Sequence, residues 1–262
     1  MEDLDETCGK TNGKSVMKTN PIRFIAFTVV AALALTLGAG RAPAQTAAIT
    51  GENDITAIDI LLEPDATMLK HAEAVNARLR GVFAEGFALD ASHRPHISMF
   101  QCYVRTADLD KVYATAAKVL AGGHITALKL KAFKYYYIPD KTLGLSGIVI
   151  EPTPGLIKLQ AALIAAVAPL TVKTATSAAF VSANDPGVNS LLIQYVEVFA
   201  TKHAGKHFEP HVTTGLAPRE YLDKMLAEPF DAFTFSPAGA AVYHLGPYGT
   251  AAKKLHQFEL KP

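Results

Sequence analysis

Two short stretches repeat one order of residue types: Arg94-Pro95-His96-Ile97-Ser98 and Glu209-Pro210-His211-Val212-Thr213. Each runs proline, histidine, a β-branched apolar residue, then a hydroxyl residue. In an extended strand, residues i and i+2 share a face. His96 therefore falls beside Ser98, and His211 beside Thr213. Ile97 and Val212 point the other way, into a core. Proline suits the start of a strand because it has no N–H to give to the ladder.

Such pairs suit phosphodiester chemistry. One group must take the proton of the attacking oxygen, and another must protonate the leaving oxygen. Histidine ionises near pH ~6.5, so a neutral and a charged copy coexist close to neutrality. Each well-placed copy contributes roughly 10²–10⁴-fold. The hydroxyls of Ser98 and Thr213 are then expected to donate to the non-bridging phosphate oxygens, where negative charge builds up. The scheme requires no metal and no cofactor.

Other residues carry competing readings. His124-Ile125-Thr126 is a third His-x-hydroxyl copy, but it follows glycine and lacks a partner, so His124 is read as a strand-edge residue. His203, His207 and His211 are spaced i, i+4, i+8, which on one continuous helix suits zinc. Gly205 weakens such a helix and Pro210 breaks it. The metal-dependent hydrolase built on these three is the alternative enzyme reading, and a non-catalytic binder of a phosphorylated ligand is another. In Lys134-Tyr135-Tyr136-Tyr137, alternation separates Tyr136 from Tyr135 and Tyr137. Tyr136, with Tyr243 nearer the C-terminus, is a candidate to stack on a nucleobase; plain strand packing is the competing role. Cys102 sits in an apolar strand pattern and reads as a small buried residue rather than a nucleophile.

The elements that must position these residues follow from periodicity and punctuation. Strands are expected over 55–62, 96–104, 124–137, 143–151, 211–216, 239–245 and 254–260. Asp65 caps a helix reaching about Phe83, with apolar positions Met68, Ala72, Val75 and Leu79. A second helix opens at Thr106 or Asp108 and stops before Gly122-Gly123. An Ala-rich third covers 152–170, with the length of a packed core helix rather than a membrane-contacting one. A helix is assigned to 188–202, and Pro218 opens a last one. The segment 171–187 reads as turns. Neighbouring strands joined by tight turns favour antiparallel sheets, hence an α+β class.

The paired motifs, their spacing and their strand–helix context resemble the 2H phosphoesterase superfamily. That group includes 2′,3′-cyclic nucleotide phosphodiesterases and 2′–5′ RNA ligase-like proteins. The likeness covers about residues 55–260, including Leu143 to Ala162 and the closing Tyr243-His-Leu-Gly246. Ser98 stands where threonine is more usual, and Gly215 where a bulkier residue is common. The resemblance implies a bilobal fold in which two pseudo-symmetric antiparallel β-sheets face a central cleft, with helices outside. It places His96 and Ser98 on one lobe and His211 and Thr213 on the other. The implied activity is a metal-independent phosphodiesterase, or a ligase-like relative, acting on a cyclic nucleotide or an RNA end.

The N-terminus reads as a leader. Lys18 and Arg23 precede an apolar run from Phe24 to Leu37, followed by Ala42-Pro43-Ala44. This is the layout of a secretory signal peptide, with cleavage expected after Ala44 and a natural start at Met17. The run is short against the ~20 residues a bilayer span needs. Residues 1–44 are thus assigned to the signal, 45–54 to a polar lead-in and 55–262 to the two-lobed domain. The expected location is periplasmic or secreted, without stable membrane association after cleavage. The formal net charge is +1 with 19% charged residues, and extended nucleic acid calls for a marked basic excess. The partner expected is therefore a small nucleotide or a short RNA end, bound by a monomer.

Overall fold

A computed structural model describes residues 54–260. The leader, its cleavage site and nearly all of the polar lead-in fall outside them. Among the described residues no helix is long and apolar enough to cross a membrane.

The chain order is β1 (Ile55–Pro64), α1 (Ala66–Val82), β2 (Ile97–Arg105), α2 (Leu109–Leu120), β3 (Leu130–Asp140), β4 (Leu143–Ile150) and α3 (Pro154–Val167). It continues with β5 (Thr171–Val172), α4 (Ser190–Lys202), β6 (His211–Pro218), α5 (Arg219–Leu226), β7 (Phe233–Phe235), β8 (Pro237–Leu245) and β9 (Ala251–Gln257). One sheet runs β5-β2-β1-β8-β9 and the other β6-β4-β3-β7. Every pairing is antiparallel, so the class is α+β.

Local chemistry accounts for the helices. Asp65 accepts from the N–H groups of Thr67 and Met68 and so satisfies two donors at the start of α1. Met68, Ala72, Val75 and Leu79 follow at helical spacing, and all four are buried. Thr153 caps α3 through Leu156 N–H, with proline at the first helical position. The stripe Leu156, Leu159, Leu163, Val167 joins Ile58, Ile60 and Leu62 of β1 in one continuous core.

Setting aside the short β5, the two sheets match strand for strand: β2 with β6, β1 with β4, β8 with β3, β9 with β7. The match extends to an irregularity. In β1–β2, Leu61 pairs with Ser98 and Ile60 with Phe100, which leaves Met99 as an extra residue. In β4–β6, Gly147 pairs with Thr213 and Ser146 with Gly215, which leaves Thr214 extra. Each motif strand thus carries a β-bulge directly after its hydroxyl residue.

Some sequence expectations are corrected. His124 is not in a strand; it takes a left-handed conformation (φ 42°) before a short 3-10 turn, Ile125–Ala127. The third strand accordingly begins later, at Leu130. β7 is three residues long and showed too little alternation to be read. The last strand lies nearer the preceding turn than expected.

Candidate active site

His96 and His211 line one cavity of about 180 Å³ between the sheets, with Ser98 and Thr213 beside them. His96 immediately precedes β2, and His211 opens β6. The apolar residues between motif members, Ile97 and Val212, are fully buried on the opposite face. The sequence motif and the strand pleat therefore agree at both sites.

Both imidazoles are held by the same device. Nδ1 of His96 lies 2.7 Å from the carbonyl of Arg94, and Nδ1 of His211 lies 2.8 Å from that of Glu209. A carbonyl only accepts, so each Nδ1 carries a hydrogen and donates it. In each ring the proton-exchanging nitrogen is then Nε2. The proline between carbonyl and histidine fixes the local chain direction that makes this i−2 bond possible.

The surroundings of the two rings differ. Nε2 of His96 lies 3.4 Å from Oδ2 of Asp59, which is fully buried. That same oxygen accepts from Ser98 Oγ at 2.5 Å and from Gln101 Nε2 at 3.1 Å. Gln101 Nε2 also donates to Ser98 Oγ at 3.1 Å. Asp59 Oδ1 and Gln101 Oε1 are buried with no donor among the described residues, so the cluster is rich in acceptors. Burial disfavours the charged form of His96, but the Asp59 carboxylate and the Arg94 carbonyl together outweigh it and raise its pKa. For His211, burial dominates. The Glu209 carbonyl opposes it only in part, the positive His96 adds to it, and the pKa is lowered.

Asp59 and Gln101 were not read as site residues. A carboxylate inside the apolar run Ile55-Thr-Ala-Ile-Asp-Ile-Leu-Leu62 was the available signal, because a buried charge needs partners. Gln101 carried no such signal. Simple alternation turns it away from Ser98, and the bulge at Met99 restores it to the cleft face.

Ser98 lines the cavity, and its hydroxyl donates to the Asp59 carboxylate. Thr213 pairs with Gly147 through the backbone, and its side chain lines the cavity.

Tyr136 packs against His211, with ring centroids 4.8 Å apart. It reaches this position across Gly147, where a Cβ would stand 2.5 Å from its ring. Tyr135 and Tyr137 lie on the other face, partly buried against the core beside Phe230 and Asp223, as alternation predicts. Tyr195 of α4, which the sequence reading missed, lines both this cavity and a neighbouring one with Phe199, His203 and Phe208. Burial raises the pKa of Tyr136 and Tyr195, so both hydroxyls stay protonated. Tyr243 does not line either cavity. It is buried with Leu61, Ala241 and Ala251, and its hydroxyl lies 3.4 Å from Glu63.

The three-histidine alternative is also corrected. His203 ends α4, His207 ends a 3-10 turn and His211 begins a strand, because Gly205 and Pro210 interrupt the helix the spacing required. Among the described residues no group of three or more His, Cys, Asp or Glu side chains is placed to hold a metal ion. Cys102 is buried, and burial pushes its thiol pKa up, as suits a packing residue.

No protein-family model matches the chain, and no curated protein matches it. Several solved structures do. The TT0787 protein of Thermus thermophilus aligns at 16% identity and a TM-score of 0.47, over 78% of this chain and 97% of that one. E. coli LigT, solved with NADP+, aligns at 12% identity and 0.41, over 80% and 99%. Kluyveromyces marxianus Usb1 aligns at 11% and 0.36, over 78% and 99%.

Proposed function

We propose that this protein is a phosphodiesterase that works by two-histidine acid–base catalysis. The observation that carries the reading is the opposite bias of two identically tethered imidazoles lining one cavity. His96 is favoured charged by Asp59, and His211 is favoured neutral by burial.

The roles follow from that bias. Nε2 of His211 takes a proton from water or a ribose hydroxyl as the new P–O bond forms. Nε2 of His96 gives its proton to the departing oxygen as the old P–O bond breaks. The separation of 3.4 Å between His96 and Asp59 is an ion-pair distance rather than a good hydrogen bond, so this proton is stabilised without being locked away. Thr213 is the hydroxyl free to donate to a non-bridging oxygen. The substrate class is a small phosphodiester, such as a 2′,3′-cyclic nucleotide or an RNA end. Export to the periplasm or medium is part of the same reading and rests on the leader sequence.

The test is turnover of 2′,3′-cyclic nucleotides by wild type, His96→Ala and His211→Ala, with and without chelator. Each variant is expected to lose roughly 10²–10⁴-fold in kcat, with wild type indifferent to chelator. Near-wild-type turnover by either variant ends the proposal.

A further inference from the structure

The two cavities beside the histidines have no lysine or arginine among the described residues that line them. On one side the wall is apolar, formed by Ile138, Leu145, Leu191 and Leu192. Ile138 and Leu191 are large hydrophobics left 42% and 64% exposed at this rim. On the other side of His211 stand Tyr136, Tyr195, Phe199 and Phe208, with His203 and His207. The carboxylates on the walls are Asp140 and Glu209.

The charge balance is therefore tight. The imidazolium of His96 is matched by Asp59 beneath it, and His211 is biased neutral. A single phosphodiester charge meets one imidazolium and neutral donors on the walls, among them Thr213 and Tyr195. A second phosphate entering the same walls meets no lysine or arginine; it faces Asp140 on one side and, on the other, Glu209 beside His207 and beside His203, whose charged form burial disfavours. Withdrawing an unpaired anion from water without a partner is strongly unfavourable. Apolar and aromatic walls favour an uncharged, ring-bearing flank instead.

We propose that the cleft selects phosphodiester monoanions with uncharged flanks, and discriminates against any substrate carrying a further phosphate. A nucleoside 2′,3′-cyclic phosphate with a free 5′-hydroxyl is a substrate of this class. A 5′-phosphorylated counterpart and a cyclic-phosphate-ended trinucleotide are outside it. The proposal rests on the two-histidine reading.

The experiment compares kcat/KM for these three compounds at about 50 and about 200 mM salt. The free 5′-hydroxyl compound is expected to be preferred by about tenfold or more, mainly through KM, because like-charge juxtaposition is strongly unfavourable. Its own kcat/KM is expected to change less than about twofold with salt, since few counterions are released. Equal or better use of the 5′-phosphorylated compound overturns the proposal, as does a steep salt dependence for the preferred one. Leu191→Arg, at an exposed position that folding tolerates, is expected to narrow the preference and introduce salt dependence. An unaltered preference in folded L191R counts against the proposal. If none of the three is turned over, the two-histidine reading fails instead. The charge rule is then judged by equilibrium titration of the same compounds. Tighter binding of the 5′-phosphorylated one, or no binding of any, overturns it.

Discussion

Asp59 on β1 and Leu145 on β4 hold the same place in the two matched sheets. Asp59 stands opposite Gln101, and Leu145 stands opposite Leu216. Each pair lies just beyond the bulge that follows a motif hydroxyl. One sheet thus puts a carboxylate and an amide beneath its histidine, while the other puts two leucines there. The two similarly tethered imidazoles differ in ionisation accordingly: Asp59 raises the pKa of His96 against its burial, and burial lowers that of His211.

Asp59→Asn removes the charge while keeping the shape. Burial then acts on His96 without the carboxylate that outweighed it, so its pKa falls. The alkaline limb of the rate profile should move to lower pH. At pH about 8 the loss in kcat is expected to be roughly tenfold or more, and smaller near pH 6, because above its pKa the charged fraction of a group falls about tenfold for each pH unit. Parallel pH profiles of the two proteins provide the check; an unmoved alkaline limb would separate Asp59 from the acid role.

The wild-type profile should itself be a bell. His211 must be neutral, which requires a pH above its lowered pKa; His96 must be charged, which requires a pH below its raised one. The plateau therefore brackets the ordinary histidine value of about 6.5 rather than lying to one side. A plot of kcat/KM against pH reads this directly. A single sigmoid would mean that only one of the two ionisations matters.

The two hydroxyls should behave differently. Thr213→Val deletes the free donor while keeping the shape, and is expected to lower kcat by about 10–10²-fold with stability little changed. Ser98→Ala removes a bond to a buried carboxylate and is expected to reduce stability by about 1–3 kcal/mol. Urea unfolding together with kcat separates these outcomes; a reversed ranking in kcat would contradict the assignment.

Gly147 is held small by its neighbours. A Cβ there would meet the Tyr136 ring at 2.5 Å and the Val212 carbonyl at 2.9 Å. Gly147→Ala must push Tyr136 against His211 or shift the strand. The expected result is a loss of about 1–3 kcal/mol in stability and a disturbed acid limb of the pH profile, measured by denaturation and by rate. Wild-type behaviour on both counts would show that the Tyr136–His211 contact is unimportant.

Asn76 of α1 ties the second bulge to the loop before the first motif. Its amide donates to the carbonyls of Thr214 and Phe87, and its oxygen accepts from Leu89 N–H. Asn76→Ala orphans these buried groups, so a loss of about 2–3 kcal/mol is expected. Hydrogen exchange should show β6 opening more readily, and protection unchanged in β6 would count against this role.

Much of the site was readable from short-range chemistry. The two Pro-His-apolar-hydroxyl stretches set strand starts, ring tethers and face alternation within a few residues each, and periodicity placed α1, α2 and α3, with Asp65 as the cap of α1. These are local consequences of pleat, pitch and hydrogen-bond supply. What the sequence left open was decided at longer range. Pairing across strands inserted the bulges, and the bulges turned Gln101 to the cleft face. The topology brought Asp59 under His96 and left leucines in the matching place near His211. Breaks at Gly205 and Pro210 put the three histidines, whose spacing suggested a metal, on three different elements instead of one helix face. The opposite ionisation bias of the two motif histidines was thus decided by burial and by a partner on another strand, far from the motif in sequence, because a pKa responds to the whole electrostatic surroundings and not to the motif that carries the group.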